Sequence, residues 1–264
     1  MEQDSDILVT GSNSGLGKYC VRHFNGAGLS RQTNFEDIIQ RAAVKPYRAI
    51  IHCAFNAKPD ISSSKLYDFL NDTVLLTQKL IKVPHQKFIF ISSADVYPKT
   101  TAVHTEDEVI NLDEVRNVYG IAKLISESII QNETANSLIL RTTALLGEDA
   151  RKNSLIKILT QDSIKLTLAS QSSFNYILHQ DVANFITKSL AENLTGIYNL
   201  AASSVVTLGE INQHYQKQVE FGDYHYVSGD ISNKKVCQVS PSFDKSSLET
   251  IKQFMSTMHD VMPA

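Results

Sequence analysis

The fold is indicated by the stretch Ile7-Leu8-Val9-Thr10-Gly11-Ser12-Asn13-Ser14-Gly15-Leu16-Gly17 near the start of the chain. Residues 7–9 form a short apolar run bounded by polar and glycine residues, which is typical of a buried parallel strand. Residues 18–24 predict a helix that begins directly after the glycines. The stretch therefore predicts a strand, a glycine-rich loop and a helix in direct succession.

A loop of this kind suits a pyrophosphate group. Gly11 permits the tight turn, Gly15 lets the backbone approach the phosphates, and Gly17 lets the helix pack closely on the sheet. The N-terminus of the helix adds free N–H groups and the positive end of its dipole. The alternative is a plain strand-to-helix turn rich in small residues. On the first interpretation, the candidate dinucleotide-binding residues are Gly11, Ser12, Asn13, Ser14, Gly15, Leu16 and Gly17.

Apolar runs alternate with helical patterns over most of the chain. The runs cover residues 49–54, 88–91, 138–140 and 196–200, and the helical patterns cover residues 35–43, 64–82, 118–131 and 180–192. Strands that alternate with helices predict an α/β fold with a Rossmann-type doubly wound parallel sheet.

Two further segments do not follow this alternation. Residues 208–217 and 245–258 look helical, and the polar residues 219–239 can hold short strands. We expect an NAD(P)-binding Rossmann domain at residues 1–147 and 176–202. Residues 148–175 and 203–264 are expected to form a small C-terminal substrate-binding lobe over the ends of the sheet strands, where ligands of such sheets bind.

The composition is that of an ordinary soluble globular protein. Of the 264 residues, 42% are apolar and 20% are charged, and the net charge of −3 gives no reason to expect nucleic acid. No apolar run approaches the ~18 residues of a membrane span, and the acidic N-terminus is unlike a signal peptide. Cys20, Cys53 and Cys237 lie far apart, so we expect reduced cysteines, no metal site and a cytoplasmic location.

The residues after the second strand bear on the choice of dinucleotide. A carboxylate that binds the adenosine ribose is expected about 20 residues after the glycines, but Gly26-Ala27-Gly28-Leu29-Ser30-Arg31 contains none. Ser30 and Arg31 could instead hydrogen-bond a 2′-phosphate, Arg31 through its fork of donors. This predicts a preference for NADP, without excluding NAD. The alternative is that Arg31 is simply a solvated surface residue.

Tyr119 and Lys123 are four residues apart in a predicted helix and therefore lie on one face. A tyrosine phenol has a reference pKa near 10, and lowering it by about three units requires roughly 4 kcal/mol of preferential stabilisation of the phenolate. A nearby ammonium and a positively charged nicotinamide can supply this. Ser93, at the end of the 88–91 strand, could hydrogen-bond the substrate oxygen. The three residues predict a general acid/base for hydride transfer, although helices also use this Tyr–Lys spacing for packing and solubility.

Together these residues resemble the short-chain dehydrogenase/reductase superfamily, most closely its extended branch of sugar-nucleotide epimerases, dehydratases and reductases. The resemblance covers residues 7–202, and its further motifs are His52-Cys53-Ala54, Asn71, Ser92-Ser93-Ala94-Asp95-Val96-Tyr97, Leu140-Arg141-Thr142 with Gly147, Tyr176-Ile177-Leu178-His179-Gln180-Asp181-Val182-Ala183 and Gly196-Ile197-Tyr198-Asn199-Leu200. It implies Ser93, Tyr119 and Lys123 as the catalytic group, with Asp95 facing the sugar and Lys123 also on the nicotinamide ribose. The cofactor contacts it implies are Cys53, Ala54, Phe55, Asn71, Thr142 and Thr143. It also implies a homodimer formed through the helices at 64–82 and 118–131.

The chain departs from the pattern of this branch at two places. Ala94-Asp95 stands where dehydratases carry an Asp-Glu pair, which weakens the dehydratase interpretation. Residues 172–175 (Ser-Ser-Phe-Asn) stand where many relatives carry an arginine for the substrate diphosphate, and the basic residues that could substitute are Arg151, Lys152 and Lys165. His104 and His179 could act as second acids, although lone histidines are more often structural.

The leading hypothesis is an NAD(P)-dependent oxidoreductase or epimerase that acts on a nucleotide-linked keto-sugar by hydride transfer, with a tyrosine as acid/base. A reductase of a small non-sugar carbonyl compound is the first alternative, favoured by the missing arginine. A non-catalytic NAD(P)-binding sensor or scaffold is the second, disfavoured because Ser93, Tyr119 and Lys123 are all present.

Overall fold

The computed structural model describes residues 5–56, 65–100, 102–150 and 153–259. Its strands are β1 Ile7–Thr10, β2 Ala27–Leu29, β3 Ala49–His52, β4 Phe88–Ser93, β5 Val103–His104, β6 Ser137–Thr142, β7 Ala144–Leu146, β8 Ser163–Lys165, β9 Ser173–Phe174, β10 Tyr176–Leu178, β11 Gly196–Leu200, β12 Val206–Thr207, β13 Gln218–Glu220 and β14 Asp230–Ile231. Its α-helices are α1 Gly15–Phe24, α2 Phe35–Val44, α3 Leu66–Leu70, α4 Leu76–Ile81, α5 Val118–Glu133, α6 Ser154–Thr160, α7 His179–Ala191, α8 Leu208–Tyr215, α9 Lys234–Val239 and α10 Ser247–His259. A π-helical segment, Asn71–Leu75, joins α3 to α4, and 3₁₀ turns occur at Ala94–Val96, Leu112–Glu114 and Pro241–Phe243.

Six strands form a parallel sheet in the order β11-β6-β4-β3-β1-β2. Strands β1, β3, β4 and β6 are buried along their whole length, which explains why they read as apolar runs rather than alternating patterns. The predicted Rossmann-type sheet is confirmed. After β2 the chain crosses to β3 on the other side of β1, so the strand order reverses between β1 and β3. Ligands of open α/β sheets bind at the carboxyl ends of the strands at such a point.

Helices cover both faces of this sheet. On one face, α1 and α7 contribute Cys20, Phe185 and Ile186 to an apolar cluster with the strands. On the other face, α2, α4 and α5 contribute a second cluster that includes Leu80 and Ile130.

The segment 219–239, for which the sequence predicted short strands, also forms the helix α9. Val236 of α9 packs in the same apolar cluster as α1 and α7. The sequence did not indicate this helix because α9 has six residues and only Val236 among them is fully buried. So short a helix shows no apolar period.

Most of the remaining elements surround a separate apolar cluster. Around it β7 pairs with β10, β8 with β13 and β9 with β12, while β5 pairs with β14 beside a smaller cluster that includes Tyr97 and Ile231. Helices α6, α8 and α10 fill the cluster with residues that include Ile158, Ile211 and Phe254. The helical patterns at 208–217 and 245–258 correspond to α8 and α10. Among the helices that the structure describes, none has the length and apolar character needed to cross a bilayer.

Candidate active site

The glycine loop connects β1 to α1 at the point where the strand order reverses. Gly11 and Gly15 have φ angles of +69° and +56°, a region that favours glycine because it has no Cβ. A Cβ on Gly17 would lie 2.3 Å from the carbonyl oxygen of Gly11, so glycine is required for α1 to pack this closely on the loop. Residues 12–14 lie at the surface or partly exposed, and Leu16 is buried beneath them.

The glycine loop leads into the N-terminus of α1, where the positive end of the helix dipole favours an anion such as a pyrophosphate. Two cations on α1, Lys18 and Arg22, form ion pairs with Asp149 at 2.7 and 2.8 Å. Burial would raise the pKa of Asp149, but these two cations hold it below its ordinary value. The Gly15 N–H donates to the backbone oxygen of Asp149 at 3.0 Å, and the other N–H groups of the first turn have no intrahelical partner. The loop between β7 and α6 therefore lies directly against the glycine loop.

Ser30 and Arg31 follow β2 at the carboxyl edge of the sheet. The Ser30 hydroxyl lies 3.4 Å from the hydroxyl of Thr33 and accepts the N–H of Gln32 at 3.2 Å. The Arg31 side chain is 82% exposed and forms an ion pair with Asp72 of the π-helical segment. A carboxylate therefore lies beside Arg31, although it comes from a helix and not from the end of β2.

The loop after β3 contacts the glycine loop. A Cβ on Gly11 would lie 3.0 Å from the backbone nitrogen of Ala54, and the Ala54 N–H donates to the hydroxyl of Thr10 at 2.9 Å. The same hydroxyl bonds Nδ1 of His52 at 2.8 Å. Burial lowers the pKa of His52 to about 3, so its imidazole is neutral. Residues 53–55 therefore follow β3 directly and lie at the crevice between β1 and β3.

Ser93, Tyr119 and Lys123 lie on neighbouring elements at the carboxyl edge of the sheet. Ser93 is the last residue of β4 and pairs with Thr142 of β6. Tyr119 and Lys123 belong to the first turns of α5. Nζ of Lys123 donates to the backbone oxygen of Ile91, two residues before Ser93, at 2.6 Å. This hydrogen bond fixes the Tyr–Lys face of α5 against β4.

The ring of Phe55 packs against both Tyr119 and Lys123. Its centroid lies 3.7 Å from Nζ of Lys123 and 5.5 Å from the ring of Tyr119, which it meets edge-on. Lys123 is only 2% exposed, and burial lowers its pKa to about 7, although Cys53 and Glu127 act in the opposite direction. The charge of this amine therefore changes near neutral pH.

Asp95 lies on the 3₁₀ turn after Ser93 and contacts the small lobe. Its carboxylate pairs with Lys99 at 2.7 Å and accepts a hydrogen bond from the phenol of Tyr226. Burial and then the charge of Asp95 raise the pKa of Tyr226. Lys99 also donates to the backbone oxygen of Ser228 at 3.3 Å. Asp95 thus links the edge of the sheet to residues 226–228, a contact that the sequence did not indicate.

A buried polar network lies behind β4 and was also missed from the sequence. Glu127 accepts hydrogen bonds from Ser92 at 2.5 Å and from Arg141 at 2.8 Å. Arg141 also donates to the Tyr97 hydroxyl at 2.8 Å, and that hydroxyl donates to Asn199 at 2.8 Å. Burial would lower the pKa of Arg141, but the bonds and charge of Glu127 raise it. The available signal was Arg141, a charged residue directly after the apolar run 138–140 that predicted a buried strand.

The other predicted cofactor residues lie on three elements. Asn71 begins the π-helical segment. Thr142 donates to the backbone oxygen of Ser92 at 3.1 Å, and Thr143 donates to the side chain of Asn175 at 2.9 Å. Both threonines already have partners, and they lie at the same edge of the sheet as Ser93.

The candidate second acids and the candidate substitutes for the missing arginine are dispersed. His104 is buried and bonds Glu108 at 2.8 Å, and burial lowers the pKa of His179 to about 4. Lys165 forms an ion pair on the lobe surface, while Arg151 and Lys152 lie outside the described residues. Within the described part of the chain, no group of three or more His, Cys, Asp or Glu side chains could hold a metal ion.

A glycine loop at the reversal point of a doubly wound sheet, beside a Ser–Tyr–Lys group, defines a dinucleotide-binding protein of the short-chain dehydrogenase/reductase class. The model of the NAD dependent epimerase/dehydratase family matches residues 7–201. The chain therefore belongs to this family. The expectation of the extended branch, and of an NAD(P)-dependent enzyme of the epimerase or reductase type, is confirmed.

Solved structures share the fold over nearly the whole chain. MoeE5 in complex with UDP-glucose and NAD is 16% identical, with a TM-score of 0.77, covering 97% of this chain and 100% of that one. The dTDP-4-dehydrorhamnose reductase of Bacillus anthracis in complex with NADP is 16% identical, with a TM-score of 0.78 and coverage of 95% and 98%. The UDP-glucuronic acid 4-epimerase of Bacillus cereus, with UDP-glucuronic acid and NAD, is 15% identical, with a TM-score of 0.71 and coverage of 94% and 99%. Among curated proteins none matches the chain.

Proposed function

We propose that the chain is a reductase or epimerase that moves hydride to or from a keto-sugar carried by a nucleotide. The observation that carries this proposal is the hydrogen bond from Lys123 to Ile91, which fixes the Tyr–Lys face of α5 beside the strand that ends in Ser93. The ligands of the structural neighbours, UDP-glucose and UDP-glucuronic acid together with a dinucleotide, support this substrate class.

Each catalytic side chain has a separate role in this proposal. The bound dinucleotide supplies or accepts the hydride. Ser93 holds the substrate oxygen, and Tyr119 donates or accepts the proton on that oxygen. The ammonium of Lys123 stabilises the phenolate of Tyr119. Asp95 is bound to the lobe, so in this proposal it orients the substrate-binding surface.

The proposed dinucleotide site follows the carboxyl edge of the sheet. Residues 11–17 and the N-terminus of α1 would hold the pyrophosphate. Ser30 and Arg31 would bind the adenosine ribose. Residues 53–55 and the threonines at the end of β6 would contact the nicotinamide half.

We propose a preference for NADP because Arg31 presents an exposed guanidinium directly after β2. Its pairing with Asp72 reduces the net positive charge at this position. The 2′-phosphate has to compete with Asp72 for Arg31, so the preference for NADP over NAD is moderate.

A specific observation favours the small non-sugar carbonyl as a second candidate substrate. At the position of the missing arginine, the hydroxyl of Ser172 accepts the N–H of Tyr226 at 3.2 Å, and the N–H of Ser173 donates to the backbone oxygen of Tyr226 at 2.9 Å. These residues are engaged within the lobe and present no cation to a diphosphate.

A homodimer is also proposed through the outer surface of α3 and α5. Leu66, Tyr67, Ile121 and Ile125 on these helices are exposed by 40%, 70%, 36% and 44%. Large apolar side chains that are exposed on neighbouring parts of a surface are typical of an interaction site. Light scattering of the wild type and of an Ile125→Glu variant measures the association directly.

The function is tested by binding and turnover measured together. Thermal shifts with NAD, NADP, UDP-glucose and UDP-glucuronic acid report binding, because a ligand of the native state stabilises it. NADPH oxidation with dTDP-4-dehydrorhamnose reports reduction, and product analysis with UDP-glucuronic acid reports epimerisation. Stabilisation by a dinucleotide with turnover of a nucleotide sugar supports the proposal. Stabilisation by a dinucleotide alone, with reduction of a small ketone, favours the second candidate, and no dinucleotide binding contradicts both.

A further inference from the structure

Asn117 lies at the junction between the catalytic strand and the catalytic helix. It is the N-cap of α5, and its Oδ1 accepts the N–H of Gly120 at 2.5 Å. Its Nδ2 donates to the backbone oxygen of Asp95 at 3.1 Å. One side-chain amide therefore joins the first turn of α5 to the 3₁₀ turn that follows β4.

That 3₁₀ turn is itself bonded to the catalytic serine. The N–H of Asp95 donates to the hydroxyl of Ser93 at 3.1 Å, and Gly120 directly follows Tyr119 in the sequence. A path thus runs from the Ser93 hydroxyl through the backbone N–H and carbonyl oxygen of Asp95 and the Asn117 amide to the backbone beside Tyr119. Peptide groups and one short side chain make up this path, so its length is nearly fixed.

A close backbone contact reinforces the same junction. A Cβ on Gly120 would lie 2.2 Å from the carbonyl oxygen of Asp95 and 2.9 Å from Oδ1 of Asn117. Helix α5 therefore approaches the Asp95 turn as closely as a backbone can, and the Asn117 amide spans the contact as donor and as acceptor.

We propose that Asn117 is a positioning residue that sets the separation of Ser93 and Tyr119. The proposal rests on the acid/base role of these two side chains proposed above. The amide is needed because it donates at one end and accepts at the other. A carboxylate in its place keeps the cap of α5 but brings two acceptors together at Asp95.

Three variants separate positioning from ordinary helix capping. Asn117→Asp keeps the acceptor for the Gly120 N–H and removes the donor to Asp95. Asn117→Ala removes both. Ser246→Ala is the matched control, because the Ser246 hydroxyl accepts the N–H of Glu249 at 3.2 Å near the start of α10 and the residue is only partly buried. Loss of an N-cap of this kind destabilises by about 1 kcal/mol.

The readouts are kcat and KM for NADPH with dTDP-4-dehydrorhamnose, the Kd for NADPH, and the melting temperature. We expect Asn117→Asp to keep the Kd and to lower the melting temperature only modestly, through the one hydrogen bond it loses. Its kcat should fall by roughly 10- to 100-fold, since a displacement near 1 Å at reacting groups has an effect of this size. Ser246→Ala should lower the melting temperature and keep kcat. Wild-type kcat in Asn117→Asp, or an equal fall of kcat in Ser246→Ala, overturns the proposal.

Amide hydrogen exchange decides the same question without a substrate. If the wild type does not convert dTDP-4-dehydrorhamnose, the proposed reaction fails for this compound, but the hydrogen-bond path can still be tested. In Asn117→Asp two acceptors meet at the Asp95 carbonyl oxygen, so the turn should move away from α5 and weaken the bond from the Asp95 N–H to Ser93. The N–H of Asp95 should therefore exchange faster than in the wild type, while the N–H of Gly120 stays protected by the retained acceptor. Unchanged exchange at Asp95 overturns the proposal.

Discussion

Replacing Gly120 by alanine tests whether the contact between α5 and the Asp95 turn controls catalysis. The new Cβ would lie 2.2 Å from the Asp95 oxygen, and since Cβ contacts under 3.0 Å essentially never occur, the N-terminus of α5 must retreat by about 0.8 Å. Asn117 Oδ1, at 2.9 Å, restricts a sideways shift. Alanine is otherwise better than glycine inside a helix by about 1 kcal/mol, so helix propensity cannot explain a loss.

A retreat of this size moves Tyr119 relative to Ser93 and should lower kcat by on the order of 10²-fold, which corresponds to about 2.7 kcal/mol of activation free energy. Steady-state NADPH oxidation measures kcat, and fluorescence titration measures the affinity for NADPH, which should change little. Gly209→Ala on α8 is the control, because its Cβ would lie 3.3 Å from the nearest atom. The reasoning is refuted if Gly120→Ala keeps wild-type kcat, or if kcat falls only as far as in Gly209→Ala.

Four further changes give distinct expectations. Tyr119→Phe should reduce turnover by roughly 10²- to 10⁴-fold through loss of the acid/base and leave NADP affinity unchanged in a titration; unaltered turnover supports the sensor alternative. Asp72→Asn should strengthen binding of NADP but not of NAD, because it frees the Arg31 guanidinium from its ion pair; an equal effect on both dinucleotides contradicts the assignment of Arg31. Lys123→Met should raise the free energy of unfolding most below pH 7, where the native state must bury an ammonium, and the gain should shrink as pH rises from about 7 toward 10.5; urea titrations across this range that show a constant difference disagree with the lowered pKa. Glu127→Gln should destabilise by about 3–5 kcal/mol, since Arg141 is then left buried without its anion, and a small change in the urea midpoint contradicts the ion-pair account.

The central strands could be predicted from the sequence because both faces of each are buried. β1, β3, β4 and β6 therefore appear as continuous apolar runs with turn residues at their ends. Two-residue strands such as β9 and β12 could not be predicted, since their pairing depends on residues far apart in the chain and so short a segment has no period. The helix α9 was missed for the same reason.

The candidate site could likewise be predicted only where a feature depends on neighbouring residues in the sequence. The spacing of Tyr119 and Lys123 indicates a shared face because helical geometry is local, and the glycine loop indicates its turn for the same reason. Three contacts depend on segments that only the folded chain brings together: the ring of Phe55 over Lys123, and the carboxylates of Asp72 and Asp149 beside basic residues. No local pattern carries those contacts.

Strand β2 has only three residues, and in the described part of the chain no strand lies outside it in the sheet. The segment that follows it is therefore attached on one side only, and its side chains are largely solvated. Exchanging residues 30–33 should disturb folding little, because few buried contacts depend on them, whereas Asn34 caps α2 and should be kept. The dinucleotide preference proposed above therefore rests on one short exposed segment. A graft of residues 30–33 should change that preference while the residues around Tyr119 and the stability of the sheet stay as they are.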